Sequence, residues 1–138
     1  MKAMTKDNER IRLILSIKPE YVDKIFEGIK KFEFRKHKPK FTVNIAYIYE
    51  TAPVSKLIGY VTLGKIREGT PYRIWKDYGA KGGISKEAFD QYFEGKKKAY
   101  AIPLVSPKKY LDPTHLDNPP QSFRYAKSEE LNRFIEVD

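Results

Sequence analysis

Lys30, Glu33 and Arg35 lie in the stretch G28-I-K-K-F-E-F-R-K36. Side chains alternate faces along a strand, so Phe32 and Phe34 point one way and Lys31, Glu33 and Arg35 the other. Glu33 and Arg35 are then close enough to pair or to share a ligand. Arginine's planar fork suits a phosphate or a base edge. A glutamate accepts from an exocyclic amine or a ribose hydroxyl. Lys30, at the turn before the strand, can swing over the same region, and Lys18 ends the strand before it. The wet face of an antiparallel strand with a weak exposed ion pair has the same pattern. The residues alone leave both readings open.

Other chemistries find little support. There is no cysteine, which removes disulfides, thiolate metal sites and cysteine nucleophiles and fits a reducing cytoplasm. His37 and His115 are far apart, and neither has a partner at metal-ligand spacing, so no metal is expected. The loop G79-A-K-G-G83 lacks the phosphate-binding pattern, and no strand feeds it. No dinucleotide fingerprint or nucleophile elbow is present, so no cofactor is expected.

The charge points to an anionic partner. Lys and Arg number 27 against 18 Asp and Glu, a net charge of +9 over 138 residues. That excess favours nucleic acid or a nucleotide-like ligand. The lysines of G95-K-K-K98 and the pair Lys108 and Lys109 would steer a polyanion without reading its sequence. Apolar residues at 41% and aromatics at 14% describe a globular domain with one core. The charged start MKAMTKDNERIR has no apolar signal segment, and no apolar run reaches membrane-spanning length, so a cytoplasmic protein is expected. Abundant Lys, Glu, Ile and Tyr, with Gln only at 91 and 121, suggest a thermophilic source.

These elements must position the candidate residues. Residues 1–10 are expected to be a flexible terminus and 11–138 a single domain. Arg12–Lys18 reads as a buried strand. Pro19 suits the first position of a helix whose face is Val22, Ile25, Phe26 and Ile29, with Gly28 as its left-handed cap. Strands follow at Lys31–Lys36, Val43–Glu50 and Leu57–Arg67, the last with Gly59 and Gly64 as possible bulges. Helices are predicted over Tyr72–Tyr78 and, capped by Ser85, up to Gly95. Trp75 reads as a core anchor for the first of these. Ala99–Val105 is a strand whose Pro103 marks an edge or a bulge. Residues 106–127 read as an ordered loop and Ser128–Glu136 as a final helix. The sum is a mainly β or α+β domain, a closed or nearly closed barrel with a few short helices.

The stretch I-L-S-I-K-P-E-Y-V-D-K-I-F-E-G-I-K-K-F-E-F-R-K resembles the opening of the ASCH domain family, small domains similar to the PUA domain. The family's G-x-K-x-x-E-x-R falls on Gly28, Lys30, Glu33 and Arg35. Y49-E-T-A-P-V-S-K-L-I-G59, G83-I-S-K-E-A-F-D-Q-Y-F-E-G95 and A99-Y-A-I102 are similar to the segments that follow. PPQSFRY, from Pro119 to Tyr125, resembles the tail of a prokaryotic and archaeal branch.

The resemblance implies a PUA-like β-barrel of about five to six strands, with a cleft beside the first helix. It implies RNA binding, or binding of a flipped or modified nucleobase, with a part in regulating transcription or translation. The ligand-binding set it suggests is Ser16, Lys18, Lys30, Glu33, Arg35, Tyr49, Thr51, Gln121, Ser122 and Tyr125. Gln121 offers a donor and an acceptor to a base edge, and Phe123 or Tyr125 a stacking face. A packed strap, with Phe123 in the core, fits the same tail.

Some members of the family are hydrolases, an acetylcytidine amidohydrolase and a ribonuclease among them. An enzyme would use Lys30 as base or nucleophile, Glu33 as proton carrier and Ser122 as hydroxyl. The amidohydrolase carries a catalytic threonine at the Glu33 position, which a glutamate cannot replace. Binding without turnover is therefore the leading expectation. A third reading is an adaptor whose basic surface meets an acidic protein. On the strand-face reading, Arg35→Ala and Lys30→Ala should weaken binding and leave the fold intact.

Overall fold

The computed structural model describes residues 11–134 and residue 136, so the segment expected to be flexible, 1–10, lies outside the described residues. The elements run β1 (Arg12–Ile17), α1 (Pro19–Phe26), β2 (Phe32–Arg35), β3 (Ile45–Glu50), β4 (Lys56–Leu63), β5 (Arg67–Gly69), α2 (Pro71–Tyr78), α3 (Lys86–Tyr92), β6 (Ala99–Thr114), β7 (Phe123–Tyr125) and α4 (Ser128–Arg133). The strands form one sheet in the order β2-β6-β4-β3-β1-β7, with β5 on β6. The architecture is the expected one, a curled, barrel-like sheet with a few short helices. The strand count is seven because β5 and β7, three residues each, are too short to show a period.

The strands that approach the two ends of the sheet, β1 and β2, are consecutive in the chain. β1 lies near one end and β2 forms the other, and α1 carries the chain between them. This crossing also lets β1 and β3 run parallel. Among the described residues, no backbone ladder joins β2 to β1 or β7, so a seam remains on that side.

Alternation divides the core into layers. Leu13, Leu15, Ala46, Ile48 and Val61 fill the inside of the curl with Val22 and Ile25 of α1. Ile14, Tyr47, Tyr49, Leu57 and Tyr60 lie on the outer face under Phe134 and Leu131. A third cluster packs Phe34, Ile74, Phe89 and Phe93 under α2 and α3. Trp75 anchors α2 there as expected, its ring 5.0 Å from that of Phe89.

Five local expectations change. The α1 pattern ends before Ile29, because Gly28 turns the chain through φ +82°; Ile29 leaves the helical face and is exposed. α3 stops at Tyr92, short of Gly95. β6 runs to Thr114 through Pro107 and Pro113, where residues 106–127 were expected to be loop. Beyond Leu104 it pairs only with β4, and a free edge tolerates prolines. Pro103 sits inside the sheet, where pairing with β2 at Phe32 meets pairing with β4 at Leu104. Gly64 gives clearance for the Pro103 ring, since a Cβ there would come within 2.9 Å of it. Gly59 does lie beside a register shift.

Phe34 is 6% exposed and meets Phe89 edge-on at 5.1 Å. Phe34→Ala should lower unfolding free energy by about 3–5 kcal/mol, read as an earlier denaturant midpoint. A loss under about 1 kcal/mol would mean that the third cluster does not hold β2 in place.

Candidate nucleic-acid interface

Glu33 and Arg35, opposite the phenylalanines of β2, face the seam with Lys30 and are not wet, whereas Lys31, expected on the same face, is exposed. Lys30 is 3% exposed, Glu33 9% and Arg35 8%. Burying a carboxylate is costly unless cations and donors surround it. Here one Glu33 oxygen lies 3.2 Å from Lys30 Nζ, and the other accepts from Arg35 Nε at 2.7 Å and lies 2.6 Å from Nη2. Arg35 also donates to the Ser16 carbonyl at 2.8 Å and to Ser122 Oγ at 2.7 Å. It therefore joins β2 to β1 and to the segment before β7, across the gap that no ladder closes.

Lys30 is held from several sides. Its Nζ donates to the Gly82 carbonyl at 2.6 Å and sits near the faces of Tyr21 (5.2 Å) and Phe34 (5.6 Å). Lys24 donates to the Gly83 carbonyl at 3.1 Å, and Lys31 N–H to the Lys81 carbonyl. The glycine loop is thus the acceptor for this turn. A Cβ on Gly82 would collide with the Phe34 ring, and one on Gly83 would come within 2.9 Å of Lys30 Cβ.

Burial pushes the Glu33 carboxyl up, but Arg35 and then Lys30 outweigh it and hold its pKa below the ordinary value. Burial lowers Lys30 more than Glu33 raises it.

Above the cluster is a cavity of about 590 Å³. Its lining includes the cations Lys18, Lys30 and Arg35, with Glu33 as its acid, so the field in it favours anions. Eight of the sequence candidates line it: Ser16, Lys18, Lys30, Glu33, Arg35, Thr51, Gln121 and Ser122. The tail is strapped to β1 and also borders the cavity. Ser16 Oγ donates to the Pro120 carbonyl at 2.7 Å and Ser16 N–H to the Ser122 carbonyl at 3.0 Å. Phe123 packs on the inner core, while Gln121 and Ser122 stay at the cavity, exposed.

Two candidates lie elsewhere. Tyr49 falls on the outer parity of β3 and is buried with Tyr47 and Leu57. Tyr125 pairs in register with Leu13, packs on the inner core and meets Phe41 with the two rings tilted at 57°. The sequence reading missed Tyr21 of α1 and Tyr92 and Gln91 of α3, which also line the cavity. The signal for Gln91 and Tyr92 was their place beside the buried Phe89 and Phe93, legible only once α3 is known to face the seam.

The burial of the cluster makes its charges structural as well. Arg35→Ala does more than remove a ligand contact, because it leaves Glu33 buried with one cation. It should cost about 3–5 kcal/mol of stability. Because Glu33's folded pKa lies below the unfolded value of about 4.3, its contribution is whole above about pH 5. It is lost as pH falls through the unfolded value toward the folded one. Acid titration of stability should therefore be steeper below about pH 5 for wild type than for Glu33→Gln. Parallel profiles would refute the depressed pKa.

The ASCH domain profile matches residues 15–108. A protein from Zymomonas mobilis named ASCH domain-containing ribonuclease is 31% identical over 144 residues, spanning 97% of each chain. The crystal structure of ASCH from Zymomonas mobilis has a TM-score of 0.82 at 31% identity, covering 90% of this chain and 93% of that one. A Ureaplasma parvum protein named large ribosomal subunit protein uL22 is 31% identical over 132 residues; they span 91% of this chain and 42% of that protein.

Proposed function

We propose, from the premise that this chain belongs to the ASCH domain family, that its cleft binds single-stranded RNA and takes in one unstacked nucleotide. The observation that carries this reading is the 590 Å³ cavity, lined by three cations, one acid and aromatic side chains. An unstacked base needs flat apolar faces and donors and acceptors at its edge, and its phosphate needs cations. Tyr21 and Tyr92 supply faces. Gln121 supplies both a donor and an acceptor. Ser122, whose oxygen accepts from Arg35, has its own O–H to donate. Lys18, exposed at the first turn of α1, is the phosphate contact.

Lys30, Glu33 and Arg35 act chiefly on one another and on the backbone. In this reading they are the floor that orients Ser122, and they contribute field more than direct contacts. Lys96–Lys98, Lys108 and Lys109 lie outside the cavity and steer the polyanion. Such binding suits a cytoplasmic part in regulating transcription or translation. The ribosomal name of the Ureaplasma relative supports the translational side.

A second reading, RNA cleavage in the same cleft, is favoured by the name of the Zymomonas relative. The geometry shifts its chemistry away from Glu33. A carboxylate held ionised by two cations is a poor proton carrier. Lys18, Ser122 and Arg35 would instead stabilise charge on the phosphodiester.

Short labelled RNAs should bind with an affinity that falls with salt at a slope of about −0.7 per phosphate neutralised. Lys18→Ala and Ser122→Ala should each weaken binding by about 1–3 kcal/mol. No binding at low ionic strength would end the RNA reading and favour an acidic protein partner. Chromatography of a mixed RNA pool and of acetylcytidine after incubation separates binder from enzyme. Intact acetylcytidine is expected, and RNA shortening that disappears in Ser122→Ala would establish the second reading.

A further inference from the structure

We infer that the RNA leaves the cleft along the seam, over Lys36–Phe41, where a second base stacks on Phe41. This rests on the reading of the cleft as a nucleotide pocket and extends it to an adjoining binding surface.

Phe41 is 54% exposed. Single exposed apolar residues are ordinary, so exposure alone carries nothing. The fixing of this one is informative. Its backbone N–H donates to the Tyr125 hydroxyl at 3.0 Å, and its ring lies 5.5 Å from the Tyr125 ring. Tyr125 packs in turn on the inner core. One side of the Phe41 ring is held by protein while much of the ring faces water. A pre-positioned face of this kind stacks a base with little ordering cost.

Position and charge say what would lie on it. Lys36, the first residue after β2, has its Nζ 4.4 Å from the ring of Tyr92, a cavity-lining residue. At the other end, Tyr125 is three residues beyond Ser122, or about 10 Å of extended chain. The segment therefore runs from the cleft's rim to Phe41 beside the seam. It reads K36-H-K-P-K-F41, and no Asp or Glu occurs between Glu33 and Glu50. Lys38 lies 3.9 Å from Glu68, which is shared with Lys98 at 3.3 Å, so the local balance stays positive. Cations interleaved with an aromatic face match a single strand's alternation of phosphate and base. Proline at 39 limits the segment's freedom to fold away.

The experiment compares a dinucleotide with a single-stranded RNA octamer, by anisotropy, on the full chain. Phe41→Ala should weaken octamer binding roughly five- to hundred-fold and leave dinucleotide binding unchanged. Phe41→Trp should restore the octamer, and Lys40→Ala should flatten its salt slope by about 0.7. Photo-cross-linking of an iodouridine-substituted octamer to the unaltered protein gives a readout independent of any variant's folding. An adduct at Phe41 is expected.

Adducts confined to the cleft would overturn the inference, as would equal octamer binding by wild type and Phe41→Ala. If Ser122→Ala still lost both lengths in that case, the cleft reading would survive alone. Binding of neither length by wild type would end both. Phe41-dependent self-association in sedimentation, unaffected by RNA, would make the patch an interface between copies and would also overturn the track.

Discussion

One buried carboxylate organises this molecule. Glu33 sits where water reaches little of it, and it stays ionised because Lys30 and Arg35 approach it from different elements. Each cation brings its own constraints. Lys30 ties the turn after α1 to the carbonyls of the glycine loop. Arg35 ties β2 to β1 and to the residues before β7. Neutralising Glu33 would leave two buried cations facing each other, so the three charges stand or fall together.

The topology explains why such a cluster is needed. A sheet that curls until its ends meet can close with a ladder, which fills the gap with backbone. Here the ends are joined by α1 in sequence and by a guanidinium in space, and the gap between them stays open as a cleft. A side-chain closure is wider than a ladder, and it brings charge where a ladder would bring paired amides. The opening and the anion-favouring field within it thus share one origin. Tyr21 from α1 and Tyr92 from α3 then line a space whose floor is already set.

Much of this was legible in the residues. Alternation in F-E-F-R correctly put Phe34 and Glu33 on opposite faces, and Pro19 and Ser85 marked their helix starts. The resemblance to the ASCH family raised the polar face to a cleft wall. The burial of that face was not legible, since it depends on a partner 87 residues away and on a glycine loop between. Tyr49 was misplaced because its motif neighbour Thr51 lines the cavity from the turn after β3, whereas Tyr49 is still within the strand and follows Tyr47 to the outer face. β6 was cut short because prolines read as loop until a free edge is known. Ile29 kept the helical spacing after Gly28 had ended the helix.

The hydrogen bonds of Arg35 also set an order of assembly. Its partners Glu33 and Ser16 lie two and 19 residues away, both already made when Arg35 emerges from the ribosome. Ser122 follows 87 residues later. The floor of the cleft therefore belongs to the part of the chain synthesised first, and its last wall to the part synthesised near the end. During synthesis at about 5–20 residues per second, several seconds separate the two. Over that interval the residues of the cluster wait for their neighbours: Gly82, which accepts from Lys30, and β6, which pairs with β2, are made in turn, and the Gln121–Ser122 wall closes the cleft last.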